Sequence, residues 1–419
     1  MTSPLSYEGF RFLLAGRAIS MLGTSIAPVA IAFAVLDLTG SAAALGIVLA
    51  ARSIPQVVFM LAGGVIADRF DRGRVLVVAN VVGGSVQAVA ATLLLTGTAS
   101  VPALAVLEAV NGTASAMVFP AAAALTPQSV PGTVLQQANA VLRMGLNGSY
   151  IVGAAVGGLL VGTVGSGWGL AVDAAAYLVA AGCFAKMRLG ATAGESRGDA
   201  RSTGGRFAGI VADLREGWHE VSTRTWLWAV VVAFGFANAA QAAGGSTLGP
   251  VVADSTFGPE GWGLVLAALS AGMVAGGLAL LRIRPGRPLF VGCVAVLLMA
   301  PMLVVLALDP RLPVLLPAAF VAGFGVEAFG IFWDLSLQQH VPLDRLSRVY
   351  SFDALGSYAM IPVGQLVAGP LAAVLGTEEA ILLSAGVIVI SITATLAVPS
   401  VRHLRRTDTQ TDQVSGTAS

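Results

Sequence analysis

Segments of about 20 or more apolar residues recur along the whole chain, and they limit its fold more than any other feature. Such segments cross a bilayer as helices, because a helix satisfies its backbone polar groups internally. Twelve runs of this kind occur, over residues 12–36, 42–66, 75–96, 101–125, 137–163, 167–187, 225–249, 261–281, 288–308, 313–335, 350–375 and 379–399. The sequence therefore predicts an all-α integral membrane protein with twelve transmembrane helices.

Composition excludes the other broad classes. Of the 419 residues, 56% are hydrophobic and 11% are charged, whereas soluble domains carry about 25% charged residues. The sequence has three histidines and contains no Walker A motif, metal-ligand cluster or nucleophile–base pair, which argues against a primary pump and against an enzyme. We expect no cofactor, no bound metal and no nucleic-acid partner, and we expect a monomer in the lipid bilayer.

Basic residues divide the loops into two sets. One set carries Arg69, Arg72, Arg74, Lys186, Arg188, Arg197, Arg201, Arg206, Arg215, Arg282, Arg284, Arg287, Arg345, Arg348, Arg402, Arg405 and Arg406. The other set carries Asp37, Asp254, Glu260, Asp309, Glu378 and Glu379, with Arg311 as its only cation. Because loops rich in Lys and Arg stay inside, the first set is predicted to be cytoplasmic. Both termini then lie inside, and the protein is a multi-pass component of the inner (plasma) membrane.

The longest polar stretch divides the twelve runs six and six. This predicts an N-terminal bundle over 1–188, a cytoplasmic linker over 189–222, a C-terminal bundle over 223–402 and a disordered cytoplasmic tail over 403–419. The second part of the linker repeats apolar residues at helical spacing, which indicates a short helix on the inner membrane surface. These residues are Phe207, Ile210, Val211, Leu214, Trp218 and Val221.

An internal repeat supports two related halves. Gly63-Gly64 recurs 213 residues later as Gly276-Gly277, and at the same offset Arg69 matches Arg282 and Arg74 matches Arg287. The acid of the first copy is not repeated, since Leu281 stands in the position of Asp68. Two six-helix halves of parallel topology are typical of one class of secondary transporter.

A dense charged loop joins the second and third runs, with the sequence GGVIADRFDRGR from Gly63 to Arg74. It resembles the signature loop of the major facilitator superfamily of transporters, and the order of six helices, linker and six helices resembles that family over nearly the whole chain. The resemblance implies a gating motif at Gly64, Asp68, Arg69, Arg72 and Arg74. In that family the acid closes the cytoplasmic gate, and here its expected partner is the start of the eleventh helix near Arg348 and Ser351.

Three further segments resemble the drug-efflux, proton-antiporter branch of that family, which includes macrolide and siderophore exporters. They are the turn Leu36–Ser41, the triplet Gln137-Ala138-Asn139, and a glycine-rich stretch in the fifth run. The glycine motif consists of Gly148, Gly153, Gly157 and Gly158 and lacks the proline usual in the family. Two interpretations stay open: these glycines seal the contact between the halves, or they serve ordinary packing of small residues.

Ionisable residues within the runs are costly, about 2.5–3.5 kcal/mol at a helix centre, so each needs a reason. Arg52 and Glu108 lie inside the second and fourth runs of one half, and Glu108 stands where the efflux family often has arginine. We predict that they pair beside a central cavity and, with Glu327, couple transport to protons; a static structural pair is the alternative. Asp173 is expected to be solvated near the outer interface, and Asp353 is expected to cap a helix N-terminus.

Polar and aromatic residues within the runs are candidates for the wall of a substrate cavity, although helix-bridging hydrogen bonds and core packing are the alternatives. The candidates are Asn111, Asn147, Asn238, Gln241, Phe329 and Trp333. The leading hypothesis is a proton-driven antiporter that exports an amphipathic organic compound. A symporter or facilitator that imports a small nutrient is the first alternative, and a non-transporting membrane sensor is the second. The residues do not identify the substrate.

Overall fold

The computed structural model describes residues 3–69, 71–187 and 221–406, and within these ranges the chain is helical with no strand. Twelve helices are long and apolar enough to cross a membrane, which confirms the predicted number. The first six are α1 (Glu8–Thr39), α2 (Ala42–Arg69), α3 (Arg72–Leu95), α4 (Val101–Ser129), α5 (Leu135–Val164) and α6 (Ser166–Ala185). The predicted linker helix lies outside the described residues except for Val221, as does the tail beyond Arg406.

The second six helices are less regular. They are α7 (Thr225–Thr256), α8 (Gly258–Leu280), α9 (Pro288–Leu308), α10 (Leu312–His340), α11 with segments Leu343–Tyr358 and Ile361–Leu375, and α12 (Thr377–Ala397). The middle of α7 is a π-helix over Ala242–Thr247, where the hydroxyl of Thr247 donates to the carbonyl of Ala242 at 2.9 Å. Such π-helical turns often occur at functional sites.

The conformation of the turn between α1 and α2 explains why Gly40 and Ser41 stand there. Gly40 ends α1 with φ of 61°, a left-handed conformation that favours glycine, and its N–H donates to the carbonyl of Leu36 at 2.7 Å. Ser41 then accepts a hydrogen bond from the Ala44 N–H at 3.3 Å, which satisfies a free donor in the first turn of α2. The resemblance noted for Leu36–Ser41 therefore reflects a compact helix connection.

The turn between α2 and α3 carries part of the charged loop. Asp71 is the N-cap of α3, and its carboxylate accepts the Arg74 N–H at 2.8 Å. The backbone is helical through Arg69, but the contacts of Gly64 and of the Asp68 and Arg69 side chains lie outside what the structure describes. The gating role predicted for them stays a prediction.

Helix contacts repeat between the two halves. In the first half, α2 packs on α4, α3 on α4 and α6, and α1 on α5 and α6. In the second half, α8 packs on α10, α9 on α10 and α12, and α7 on α11 and α12. Each pair in one half has its counterpart six helices later, so the two bundles are related by pseudo-symmetry, as the sequence repeat predicts.

The two ends of the bundle differ in charge. We call the end with the arginine-containing loops the arginine-rich end, and the end with Asp37, Asp254, Glu260 and Asp309 the acidic end. Arg311, the one cation predicted at the acidic end, donates two hydrogen bonds to Asp309, and these hold the pKa of that exposed carboxyl below its usual range. The pairing neutralises the one cation of the acidic end, and the predicted orientation in the membrane stays a prediction.

The halves meet at the acidic end, and glycines allow the contact. Gly46 of α2 lies against the backbone of Gln365 in α11, and Gly369 of α11 lies against Ala43 of α2. On the other side of the bundle, a Cβ added at Gly158 of α5 would lie 2.8 Å from the Cα of Gly263 in α8. Backbone contacts this short hold the halves together on two sides of the acidic end, so this end is closed.

Candidate functional site

A cavity of about 280 Å³ lies between the halves, below the closed acidic end. Helices α1, α2, α4 and α5 of the first half and α7, α8, α9 and α11 of the second half form its wall. The lining residues include the polar side chains Arg52, Ser53, Gln56, Glu108, Tyr150, Gln241, Ser246 and Gln365. Apolar residues of α1, α8 and α9 complete it, among them Ile31, Trp262, Leu266 and Met302. The wall is thus amphipathic and shared by both halves.

An ion pair occupies the first-half wall of this cavity. Nη1 of Arg52 lies 3.4 Å from Oε2 of Glu108, so the predicted pairing is present. The Glu108 side chain is 2% exposed and that of Arg52 is 18% exposed, and both line the cavity. Oε1 of Glu108 has no hydrogen-bond partner among the residues described. The carboxylate therefore has one paired oxygen and one free acceptor.

Behind the ion pair lies a buried polar cluster that the sequence reasoning only partly found. Asp173 of α6 accepts a hydrogen bond from Nε2 of Gln87 in α3 at 2.9 Å. The expectation that Asp173 is solvated near the outer interface is wrong, since its exposed fraction is 0%. Arg52 and Glu108 both act electrostatically on Asp173. Gln87 was detectable in principle, as a polar residue inside the apolar run of α3.

The predicted cavity residues separate into several environments. Gln241 of α7 lines the cavity. Asn111 of α4 is 1% exposed and faces the polar cluster beside Glu108. Asn238 donates to the carbonyl of Ser357 at 2.8 Å and so bridges α7 to α11. Asn147 lies on an exposed surface of α5.

Phe329 and Trp333 belong to an aromatic column between α7 and α10. The ring of Phe329 stacks on Phe234 with centroids 3.9 Å apart, and Trp333 packs edge-on against Trp226 at 5.9 Å. Both side chains are buried, 8% and 6% exposed, and lie outside the cavity lining. Their burial favours core packing over direct substrate contact in this conformation.

Asp353 of α11 joins this column. Nε1 of Trp333 donates to its carboxylate at 2.8 Å, and the hydroxyl of Ser357 donates at 3.2 Å. The expectation that Asp353 caps a helix N-terminus is wrong, because it lies in the interior of the segment Leu343–Tyr358. The carboxylate is used to join α10 to α11.

Glu327 of α10 is half-buried and lies outside the cavity lining. Its Oε1 would lie 3.5 Å from a Cβ added at Gly277, so the side chain rests on the glycine pair of α8. Arg143 of α5, in the opposite half, acts on it electrostatically. Glu327 therefore lies at the contact of α8 with α10, within the electrostatic influence of α5.

The four glycines of the α5 motif have three different surroundings. Gly153 and Gly157 lie against α1, near Leu22 and Ile26, within the first half. Gly158 lies against α8 of the second half, and a Cβ there would be 2.6 Å from the Pro259 carbonyl oxygen. A Cβ added at Gly148 would meet no atom within 4 Å among the described residues, apart from the backbone of its own helix. Gly158 therefore lies at the contact between the halves, whereas Gly153 and Gly157 pack within one half, and a role of the motif in sealing the halves stays a prediction.

The described residues form no metal site. Across residues 3–69, 71–187 and 221–406, no group of three or more His, Cys, Asp or Glu side chains is placed to hold a metal ion.

Comparisons with known proteins agree with the fold of twelve membrane-spanning helices. The sequence profile of the Major Facilitator Superfamily matches residues 13–364. The multidrug efflux pump Tap of Mycolicibacterium fortuitum is 29% identical over 410 residues, covering 96% of this chain and 97% of that protein. Macrolide efflux protein A of Streptococcus pyogenes is 23% identical over 405 residues, covering 95% and 97%. The crystal structure of the nucleoside transporter NupG superposes with a TM-score of 0.70 at 16% identity, covering 92% of this chain and 98% of that one.

Proposed function

The chain belongs to the major facilitator superfamily, and on that premise we propose that it is a proton-coupled antiporter that exports amphipathic organic compounds by alternating access. The observation that carries the proposal is the Arg52–Glu108 pair on the wall of a cavity between the halves. Ionisable groups at this depth are costly, and they mark ion or substrate pathways in transporters. The relatives named as multidrug and macrolide efflux pumps favour export of a drug or natural product.

The cavity suits an amphipathic ligand. Its apolar side, formed by residues such as Ile31, Leu266 and Met302, accepts hydrocarbon, and its polar side offers Gln241 and Gln365 as amide partners. The buried Oε1 of Gln365 has no hydrogen-bond partner among the described residues and so remains available to a ligand. Small-molecule pockets span about 300–1,000 Å³, so the cavity is near the lower limit in this conformation.

The ion pair provides a way to couple the binding of a proton to the binding of substrate. In the closed-acidic-end conformation, Glu108 and Arg52 neutralise each other. A proton on Glu108 removes the attraction and frees Arg52 to face the cavity, which changes what the cavity binds. Glu327 is the second candidate for a proton carrier, since it lies at the contact of α8 with α10 and Arg143 of α5 acts on it electrostatically.

Orientation completes the proposed cycle. With the arginine-rich end in the cytoplasm, the closed acidic end faces outward, and we propose that the cavity opens to the cytoplasm. Asp68 then lies at the gate that must close before the acidic end opens. Export requires substrate to enter from the cytoplasm, and entry of a proton from outside drives the return.

Import of a nutrient by symport is the competing function, because the same fold serves both directions. Purified protein in proteoliposomes distinguishes them, with the macrolide erythromycin and the fluorescent cation ethidium as probes. We expect uphill movement of a probe opposite to an imposed proton gradient, lost when nigericin collapses that gradient and lost in Glu108→Gln. Probe flux that does not depend on the proton gradient contradicts proton coupling. Probe movement in the same direction as protons contradicts antiport.

A further inference from the structure

We infer that Glu108 and Asp173 hold one proton between them, with Gln87 as the link, so that the proton site of this chain is a pair of carboxyls on α4 and α6. The inference deepens the proposed function and takes its role in transport from it. It rests on three observations: a charge imbalance, an excess of unpartnered acceptors, and an amide placed between the two acids.

The charge imbalance comes first. Within the polar cluster of the first half, Arg52 acts on both carboxyls, and Glu108 acts on Asp173. Glu108 is 2% exposed and Asp173 is 0% exposed. One cation cannot neutralise two ionised acids, and an uncompensated charge buried inside a membrane protein is strongly disfavoured. One proton balances the cluster.

Among the residues that the structure describes, the groups that face Asp173 from the packed helices include Arg52 and no second cation. Helix α1 contributes Gly23 and Thr24, and a Cβ at Gly23 would lie 2.7 Å from Oδ1 of Asp173. Helix α3 contributes Gln87, and α6 contributes Tyr177, which interacts electrostatically with Asp173 and whose hydroxyl accepts from Thr24 at 3.2 Å. Arg52 of α2 and Glu108 of α4 complete the set of titratable neighbours.

Unpartnered acceptors are the second observation. Among the residues that the structure describes, four buried oxygens of this cluster lack a hydrogen-bond partner: Oε1 of Glu108, Oδ1 of Asp173, Oε1 of Gln87 and Oδ1 of Asn111. Buried polar atoms of native proteins are nearly always hydrogen-bonded. One buried donor atom of the cluster, Nδ2 of Asn111, also lacks a partner among the described residues, so the unpartnered oxygens outnumber the unpartnered donor atoms four to one. A proton on either carboxyl adds an O–H donor to this group of acceptors.

Gln87 is the third observation, because an amide presents a donor on one side and an acceptor on the other. Its Nε2 donates to Asp173 at 2.9 Å, and it also faces Glu108. When Glu108 holds the proton, its O–H donates to Oε1 of Gln87 while Asp173 stays ionised. When Asp173 holds the proton, rotation of the amide by half a turn reverses both bonds. Gln87 is therefore a positioning residue that makes the two states equivalent.

The two acids differ in access. Glu108 lines the cavity, whereas Asp173 lies outside its lining. A proton thus enters and leaves at Glu108 and is stored at Asp173, out of reach of a substrate in the cavity. While Asp173 holds the proton, Glu108 can re-form its pair with Arg52 before the proton is released.

Infrared spectroscopy of the purified protein tests the shared proton without a substrate. A protonated carboxyl gives a C=O stretching band above the amide bands. We expect Glu108→Gln and Asp173→Asn each to lose one such band of equal area at neutral pH, and the double variant to lose no more than either. Asp309→Asn is the control, since that exposed carboxyl pairs with Arg311 and is ionised.

Three results overturn the inference: no band lost in either variant, a band lost in Asp173→Asn but kept in Glu108→Gln, or a double loss in the double variant. If a variant does not fold, ¹³C labelling of aspartate or glutamate side chains in the unmutated protein replaces it. A shared band shifts in part with each label, and a band that responds to one label alone overturns the inference. Probe flux that ignores the proton gradient would contradict the proposed function and leave the shared proton intact.

Discussion

Arg52 and Glu108 form an ion pair across α2 and α4, with Nη1 and Oε2 3.4 Å apart. The pair exists because the two helices approach very closely at Gly112, one turn after Glu108. A Cβ at Gly112 would lie 2.9 Å from the carbonyl carbon of Arg52 and even closer to its oxygen. The spacing of the acid and the glycine therefore sets the distance between the charges.

Removing one member of this pair is expected to destabilise the protein more than removing both. Arg52→Met leaves Glu108 buried without its cation, a loss of about 3–5 kcal/mol for a broken buried pair. The double variant Arg52→Met/Glu108→Leu removes both charges and should recover most of that stability. Thermal unfolding of the purified protein, compared among wild type, both single variants and the double, measures the coupling. Additive losses would show that the pair is not coupled.

Sequence reasoning was accurate where position along the chain decides the outcome. Twelve apolar runs gave twelve helices, and two charges in the second and fourth runs proved to be neighbours. It was inaccurate where the direction of a side chain decides the outcome. Asp173 lies seven residues into its run, which indicates the outer interface, but the residue faces α1 and α3 instead of solvent.

The aromatic residues of α10 show the same limit of prediction from sequence. Phe329 and Trp333 differ by one helical turn, so their common face on α10 was predictable. Whether that face meets the cavity or another helix depends on α7, whose Phe234 and Trp226 cover it. The π-helical turn of α7 had no signal in the apolar pattern, because it changes the backbone hydrogen bonds and not the order of apolar residues.

Trp333→Phe tests the connection between α10 and α11. The substitution keeps an aromatic ring beside Phe329 but removes the Nε1 donor that Asp353 accepts at 2.8 Å. A carboxylate that loses a buried donor is expected to cost about 1–3 kcal/mol of stability, seen as a lower unfolding temperature. Asp353→Asn should cost less, because the amide oxygen still accepts from the indole. Equal losses in both variants would indicate that the charge matters and not the hydrogen bond.

Asp68→Asn tests the gate inferred from the family resemblance. The acid has no counterpart in the second half, where Leu281 occupies the repeated position. We expect the variant to insert into the membrane at normal levels and to lose probe transport, because the charge at the gate is removed while the size of the side chain is kept. Asp71→Asn is a matched control, since Asp71 caps α3 and its amide can still accept the Arg74 N–H. Full transport in Asp68→Asn would show that the charged loop sets membrane topology and does not act as a gate.

The glycines of α5 provide a matched pair of alanine substitutions on one helix. A methyl group at Gly158 would meet the backbone of Pro259 and Gly263 at 2.6–2.8 Å, whereas one at Gly148 meets no atom within 4 Å. Overpacking costs about 1–3 kcal/mol, and about 1.4 kcal/mol changes a population ratio tenfold. Gly158→Ala should therefore open the acidic end in a much larger fraction of molecules, and Gly148→Ala should not.

Spin labels on opposite halves measure that opening. Asp37 of α1 and Asp254 of α7 are both exposed and act on each other electrostatically across the acidic end. Cysteines at these two positions, in a background without Cys183 and Cys293, report their separation. Gly158→Ala should lengthen the most populated distance between the two labels and slow probe export about tenfold. Gly263→Ala should do the same, because Gly263 lies on the other side of the same contact. Unchanged distances in both variants would mean that these glycines pack the helices without controlling closure.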